Sequence, residues 1–186
     1  YCDGLPRNNF LKRALTWNEG GVLSGARHIT MAGHVVYITT PTSLVVLDLN
    51  DPLKPKLVKK IEMQDPRATA LQFRYLFVTD AEGLKVFDAT QPKNLKRVAG
   101  AKITLKDPKK LYIARTYAYV AAGSEGLAII NVKNPEKPKL YKLFNATGKI
   151  NDARDVIVGT TNASLFAYVA DDKNGLKVIQ LTSPDS

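Results

Sequence analysis

Four cationic residues recur at one position of a repeated segment in this chain of 186 residues: Arg27, Arg67, Lys109 and Arg154. Cations that converge on one place could hold an anion, a carboxylate or an acidic loop of a partner, because guanidinium and ammonium groups form charge-assisted hydrogen bonds with such groups. The alternative is structural, with each cation paired to a nearby carboxylate such as Asp65, Asp107, Asp152 or Asp155. Both roles stay open, and the four cations are the best candidate for a binding site in this sequence.

A second group of cations lies just after the prolines that end a repeated strand. It is represented by Lys54, Lys93 and Lys137, and only two acidic residues, Asp51 and Glu136, lie among them. The chain has 27 Lys and Arg against 17 Asp and Glu, a net charge of +10, which suits nucleic acid, anionic lipid or an acidic protein surface. These lysines could therefore form a docking face, or they could only keep the connectors soluble and protect strand edges.

Residues that carry catalysis or bind metals are sparse. The one cysteine, Cys2, allows no internal disulfide and no Cys-based metal cage, and His28 and His34 alone do not make a zinc site. The chain has no Gly-x-Ser-x-Gly elbow, and the Asp-Asp-Lys-Asn-Gly segment at 171–175 is interpreted as a plain turn. We therefore expect no enzymatic activity, no metal and no cofactor.

An internal repeat organises the whole chain. Its copies contain the segments HVVYITTPTSLVVLDLNDPLKPKL, YLFVTDAEGLKVFDATQPKNLKRV, AYVAAGSEGLAIINVKNPEKPKL and FAYVADDKNGLKVIQLTSPDS. The prolines Pro52, Pro92, Pro135 and Pro184 are separated by 40, 43 and 49 residues. The leucines Leu44, Leu84, Leu127 and Leu176 are separated by the same three intervals. Two landmarks with identical spacing indicate true structural repeats.

Each copy predicts four short strands. The runs are rich in Val, Ile, Tyr and Phe, and Gly83, Gly126 and Gly175 supply the positive φ that tight hairpins need. Four strands in about 40 residues form a propeller blade, so the fold class is all-β, a β-propeller of four-stranded antiparallel blades. The predicted single domain spans 1–186, with an orphan outer strand at 1–20, blade 1 at 21–63, blade 2 at 64–105, blade 3 at 106–145 and a three-stranded blade 4 at 146–186.

The two ends of the chain fit either of two arrangements. The segment NNFLKRALTW resembles PKNLKRVAG of the second copy, so residues 10–16 are expected to pair with residues 176–181 and complete blade 4. That pairing would close a four-bladed ring and remove exposed sheet edges. The same ends also suit an excerpt from a larger propeller.

The segments YAYVAAGSEGLAIINVKNPEKPKL and ARDVIVGTTNASLFAYVADDKNGLKVIQL resemble the LVIVD repeat, a family of bacterial and archaeal β-propellers. The best matches are Ala-Arg-Asp-Val at 153–156, the Gly-Leu turns, and Asn-Pro-x-x-Pro at 134–138. The first copy departs from this pattern, because Pro41-Thr42-Ser43 replaces its turn glycine. The resemblance implies a propeller that is secreted, periplasmic or on the cell surface, and it implies no particular reaction.

These observations predict a non-enzymatic interaction module that acts outside the cytoplasm and docks an acidic protein surface or a neighbouring domain. Nucleic acid is disfavoured, because the repeated aromatic residues Tyr37, Phe77, Tyr119 and Tyr168 occupy one blade position and are expected in the core. The apolar runs are too short to span a bilayer. Two alternatives stay open: an accessory domain of a larger extracellular assembly such as a multihaem cytochrome, and a hydrolase or lyase with its site at the channel mouth.

Overall fold

The structure is a computed structural model that describes residues 12–160 and 164–181. Its strands form three antiparallel sheets of four strands and one of three, each in sequential order. The strands are β1 (His28–Ala32), β2 (Val35–Thr39), β3 (Ser43–Asp48), β4 (Lys56–Glu62), β5 (Ala68–Gln72), β6 (Tyr75–Asp80), β7 (Gly83–Asp88), β8 (Lys96–Thr104), β9 (Leu111–Ala114), β10 (Tyr117–Ala121), β11 (Leu127–Asn131), β12 (Lys139–Phe144), β13 (Asp155–Thr160), β14 (Leu165–Ala170) and β15 (Leu176–Leu181). The sheets are the predicted blades, and no helix of the described residues is long and apolar enough to cross a membrane.

Apolar contacts between successive blades form the core. Tyr37, Leu44 and Val46 of blade 1 pack against Leu76 and Val78 of blade 2. The same positions of blade 2 pack against blade 3, and those of blade 3 against blade 4. The first strands also touch in chain order, β1 with β5, β5 with β9 and β9 with β13, whereas β1 and β13 make no comparable contact. Within residues 12–160 and 164–181 the four blades therefore form an open arc and not a closed ring.

The repeated aromatic position lies in this core, as predicted. Tyr37, Phe77 and Tyr119 are almost fully buried between blades. Tyr168, the fourth member, is only partly buried, because no described blade follows blade 4. The repeat leucines show the same contrast: Leu44, Leu84 and Leu127 are buried completely, and Leu176 is 64% exposed.

The N-terminal segment covers the free face of blade 1. Trp17, Val22 and Leu23 pack against the cluster formed by Val36, Ile38, Val45 and Leu47. Of the predicted outer strand at 1–20, residues 1–11 lie outside the described residues, and residues 12–18 are not in a strand. The predicted pairing of residues 10–16 with β15 therefore finds no support in its described part, and blade 4 has three strands.

Side-chain oxygens anchor the ends of the third strands. Asp48 Oδ1 accepts a hydrogen bond from Asn50 N at 2.7 Å, Asp88 Oδ1 from Thr90 N at 2.9 Å, and Asn131 Oδ1 from Lys133 N at 3.0 Å. These bonds show that the polar residue repeated at this position anchors the turn that follows the third strand. In blade 1 a hydroxyl pair replaces the turn glycine, because Thr40 Oγ1 and Ser43 Oγ lie 2.9 Å apart.

Gly126→Val tests the turn glycines, with Gly175→Val as its comparison. Both glycines have positive φ, +84° and +78°, so valine strains both turns by about 1–2 kcal/mol. At Gly126 an added Cβ would also overlap the backbone at Phe144, whereas the space around Gly175 is open. We expect the larger loss of thermal stability for Gly126→Val in calorimetry. Equal losses would mean that the close approach to Phe144 costs nothing.

Candidate functional site

Two surfaces at opposite ends of the strands carry the candidate residues. We call the end at which the first strands begin the channel mouth, and it holds Arg27, Arg67, Lys109 and Arg154. We call the other end the basic face, and it consists of the first-to-second turns (33–34, 73–74, 115–116) and the third-to-fourth connectors (49–55, 89–95, 132–138). Backbone bonds join its two parts: Leu49 N donates to His34 O at 2.6 Å, Ala89 N to Arg74 O at 2.7 Å, and Val132 N to Thr116 O at 2.8 Å.

The backbone fixes the four channel-mouth cations at equivalent places. Each backbone N–H donates to the carbonyl at the end of the second strand of its own blade, over 2.8 Å for Arg27, 2.8 Å for Arg67, 2.7 Å for Lys109 and 2.9 Å for Arg154. Buried hydroxyls join adjacent blades here, since Thr39 Oγ1 donates to Arg67 O at 3.1 Å and Thr79 Oγ1 to Lys109 O at 2.6 Å. The repeat thus places the four cations along the channel mouth, one from each blade.

Each channel-mouth cation is bound to carboxylates, and in three of the seven ion pairs the carboxylate comes from the following blade. Arg27 pairs with Asp65, which lies just before β5, and Asp65 also accepts from Arg67 at 3.1 Å. Arg67 in turn pairs with Asp107, just before β9. The side chains therefore alternate in charge from blade to blade.

The same alternation continues to blade 4. Lys109 Nζ lies 3.7 Å from Asp107 and 3.1 Å from Asp152, which precedes β13. Arg154, the last of the four cations, forms ion pairs with Asp152 at 3.1 Å and with Asp172 at 3.3 Å, both within its own blade. Asp155, the other carboxylate suggested by the sequence, pairs instead with Lys110 at 3.5 Å.

These ion pairs hold the carboxylates in their charged form. Partial burial alone would raise the pKa of Asp65, but hydrogen bonds from Arg27 and Arg67 outweigh it and lower the pKa below the usual value of 3.8. Hydrogen bonds from Arg154 and Lys109 likewise lower the pKa of Asp152. The channel-mouth cations are thus engaged in linking blades, and their charge is neutralised.

The basic face differs because its cations outnumber its carboxylates. Its described segments hold six cationic residues against two acidic ones, Asp51 and Glu136, and the anchors Asp48 and Asp88 border them. The cations are Lys54, Arg74, Lys93, Arg115, Lys133 and Lys137. All six are exposed, and none forms an ion pair within residues 12–160 and 164–181. The structure thus separates the candidate cations into a paired set at the channel mouth and an unpaired set on the basic face.

Sequence reasoning missed two features of these surfaces. It treated Asp65, Asp107 and Asp152 as local partners, although they also bridge to the preceding blade; the recurring Asp-x-Arg or Asp-x-Lys at 65–67, 107–109 and 152–154 was the available signal. It also gave no weight to Phe73, a hairpin-tip residue that is 91% exposed on the basic face. Nothing in its type distinguishes Phe73 from a core aromatic.

The comparisons agree with the fold described above. The LVIVD repeat family matches residues 109–146 and 152–184, which are blades 3 and 4. The computationally designed Ika4 protein superposes with a TM-score of 0.62 at 11% identity, covering 86% of this chain and 92% of Ika4. The designed Ika8 protein gives 0.61 at 11% identity, and BamB from Moraxella catarrhalis gives 0.59 at 13% identity, each over 84% of this chain. No curated protein matches the sequence significantly.

The fold and its solved neighbours define the class of this protein, which is a β-propeller. More narrowly, the match to the LVIVD repeat covers the last two blades and not the first two. It spans 46% of Ika8 and 44% of BamB, less than half of either chain.

Arg67→Gln tests whether the channel-mouth ion pairs stabilise the protein. Arg67 is 23% exposed and binds Asp65 and Asp107, so its loss should lower the free energy of unfolding by about 1–3 kcal/mol at pH 7. Because the folded pKa of Asp65 lies below its unfolded value, this stabilisation is complete above about pH 4 and disappears as the pH falls through the folded pKa.

Thermal melts from pH 7 to acid measure the effect. The difference in melting temperature between wild type and Arg67→Gln should disappear in acid. The variant Arg97→Gln, at an exposed position of β8, should melt close to wild type at every pH. A difference that is independent of pH would mean that Arg67 acts by packing and not by its ion pairs.

Proposed function

We propose that this protein is a non-enzymatic interaction module that docks an acidic partner through its basic face. The single observation that carries the proposal is the separation of charge between the two ends of the strands. Carboxylates bind the cations of the channel mouth, and the six cations of the basic face have no such partner in the described residues. An unpaired cluster of one sign attracts and orients a partner of the opposite sign.

The fold supports a docking role for this face. Its turns and connectors are held rigidly by backbone bonds to each other and by the anchors Asp48, Asp88 and Asn131. A rigid surface loses little entropy on binding. The proposal places the protein outside the cytoplasm, as the LVIVD resemblance implies, and it is compatible with a role as an accessory domain of a larger assembly.

A hydrolase or lyase site at the channel mouth is the less favoured function. A general acid needs a pKa near the working pH, whereas the pKa values of Asp65 and Asp152 are lowered by their cationic partners. Both carboxylates are therefore ionised at neutral pH and occupied by hydrogen bonds. The geometry suits a link between blades better than proton transfer.

The triple variant Lys54→Glu, Lys93→Glu and Lys137→Glu tests the proposal, with poly-L-glutamate as the acidic probe. Reversing three exposed charges should weaken binding at low salt by tenfold or more. Salt screens exposed charges least under that condition, where the Debye length is about 30 Å at 0.01 M, so attraction turned into repulsion has its largest effect. Melting should change little, because the three side chains are exposed and unpaired.

The matched control reverses three exposed lysines away from the basic face, Lys106, Lys149 and Lys173, and so gives the same net charge. Binding by fluorescence anisotropy should fall much less for this control. Equal loss in the two triple variants would show that only the net charge matters, and the basic face would then have no special role.

A further inference from the structure

Phe73 lies at the tip of the β5–β6 hairpin, in the middle of the basic face. It is 91% exposed, more than any other large apolar residue in the described part of the chain. The hairpin is closed by the pair Gln72 and Tyr75, so only Phe73 and Arg74 form the turn. A large aromatic side chain therefore projects from the protein on a short, rigid support.

The backbone at Phe73 makes this residue type unfavourable for the fold. Its φ is +54°, a region that bulky residues avoid and glycine accepts readily. Blade 1 has Gly33 at the equivalent turn position, with a φ of +60°. Phenylalanine at this place thus combines backbone strain with an apolar side chain that the described residues leave 91% exposed.

Cations and a second apolar side chain surround the Phe73 tip. Arg74 follows it directly, and Gln72 Nε2 donates to Arg115 O at 2.7 Å, which brings the neighbouring basic turn alongside. The connector that carries Lys93 is joined to the same turn through the bond from Ala89 N to Arg74 O. Leu53, in the blade 1 connector of the same face, is 59% exposed.

We infer that the basic face binds an anionic lipid surface, with Phe73 inserted among the lipid headgroups and the surrounding cations on the phosphates. Interfacial binding combines shallow burial of apolar side chains with attraction of Lys and Arg to anionic lipids. Phe73 supplies the buried apolar side chain, and Leu53 is a second exposed apolar residue on the same face. The six unpaired cations supply the attraction to anionic lipids.

A lipid surface fits these residues better than an acidic protein does. The energy of a protein interface is concentrated in a central cluster of buried anchors that fit pockets of the partner. Here the two exposed apolar side chains, Phe73 and Leu53, lie on separate turns of a face that also carries the cations. A bilayer accepts separate tips without shaped pockets. The inference rests on the proposed function, because it uses the same face and names its acidic partner.

Phe73→Gly is the main test, in the full chain and with vesicles of phosphatidylcholine with and without phosphatidylglycerol. Glycine relieves the strain at φ +54°, so the variant should melt no lower than wild type. Sedimentation with anionic vesicles should weaken about tenfold, since a buried Phe side chain contributes that much or more. Phe73→Trp should retain binding, and Leu176→Ser, at an exposed leucine off this face, should not affect it.

Tryptophan fluorescence reports insertion directly. Trp17 is the only tryptophan of the chain, so the double variant Trp17→Phe, Phe73→Trp carries a single probe at the tip. Its emission should shift to the blue on anionic vesicles and should be quenched by brominated lipid. Neutral vesicles should cause neither change.

Each outcome separates the lipid inference from the proposed docking function. If anionic vesicles bind Phe73→Gly as tightly as wild type, or the probe at position 73 does not shift, insertion is wrong although docking by the lysines stands. If poly-L-glutamate binds and anionic vesicles do not, the partner is an acidic protein and the lipid inference is overturned. If the triple lysine variant binds both probes normally, both proposals fail.

Discussion

The structure depends on one constraint: each blade is a sheet with two apolar faces, and only another layer can bury them. Between blades 1 and 2, Leu44 and Val46 meet Leu76 and Val78, and this contact recurs at the next two junctions. Burying one such side chain contributes about 1.5–3 kcal/mol, so the sequence must keep an apolar residue at each of these positions. The turns and connectors at the two ends of the strands are free from this requirement.

The two ends of the strands use that freedom differently. At the channel mouth, cations and carboxylates alternate from Arg27 to Asp172, and they join blades that already touch through their cores. Thr39 and Thr79 reinforce the same junctions with buried hydroxyl bonds. On the basic face the six cations form no ion pair in the described residues, although Asp88 and Glu136 attract Arg74, which donates a hydrogen bond to Tyr75. One end therefore links the blades, and the other carries cations that form no ion pair in the described residues.

The sequence predicted the blades because two signals agreed, the spacing of the prolines and that of the leucines. It also identified the interblade aromatics Tyr37, Phe77 and Tyr119. It could not predict which carboxylate each cation would bind, because that depends on how adjacent blades are placed. The exposure of Phe73 was equally hidden, since an aromatic residue next to a strand is usually buried.

The repeat allows Phe73 to be compared with the residues at the same turn position in blades 1 and 3. The first-to-second turns of blades 1, 2 and 3 have nearly the same positive φ, +60° at Gly33, +54° at Phe73 and +55° at Arg115. The fold makes the same demand at all three positions, and glycine meets it at the lowest cost. Because the backbone geometry is the same, it does not explain why blade 2 has Phe73 and blade 3 has Arg115 where blade 1 has Gly33. Phe73 and Arg115 are strained and exposed, and they lie side by side on the basic face. What they offer is an apolar group and a positive charge directed at the solvent, and only the apolar group would gain simply from being removed from water.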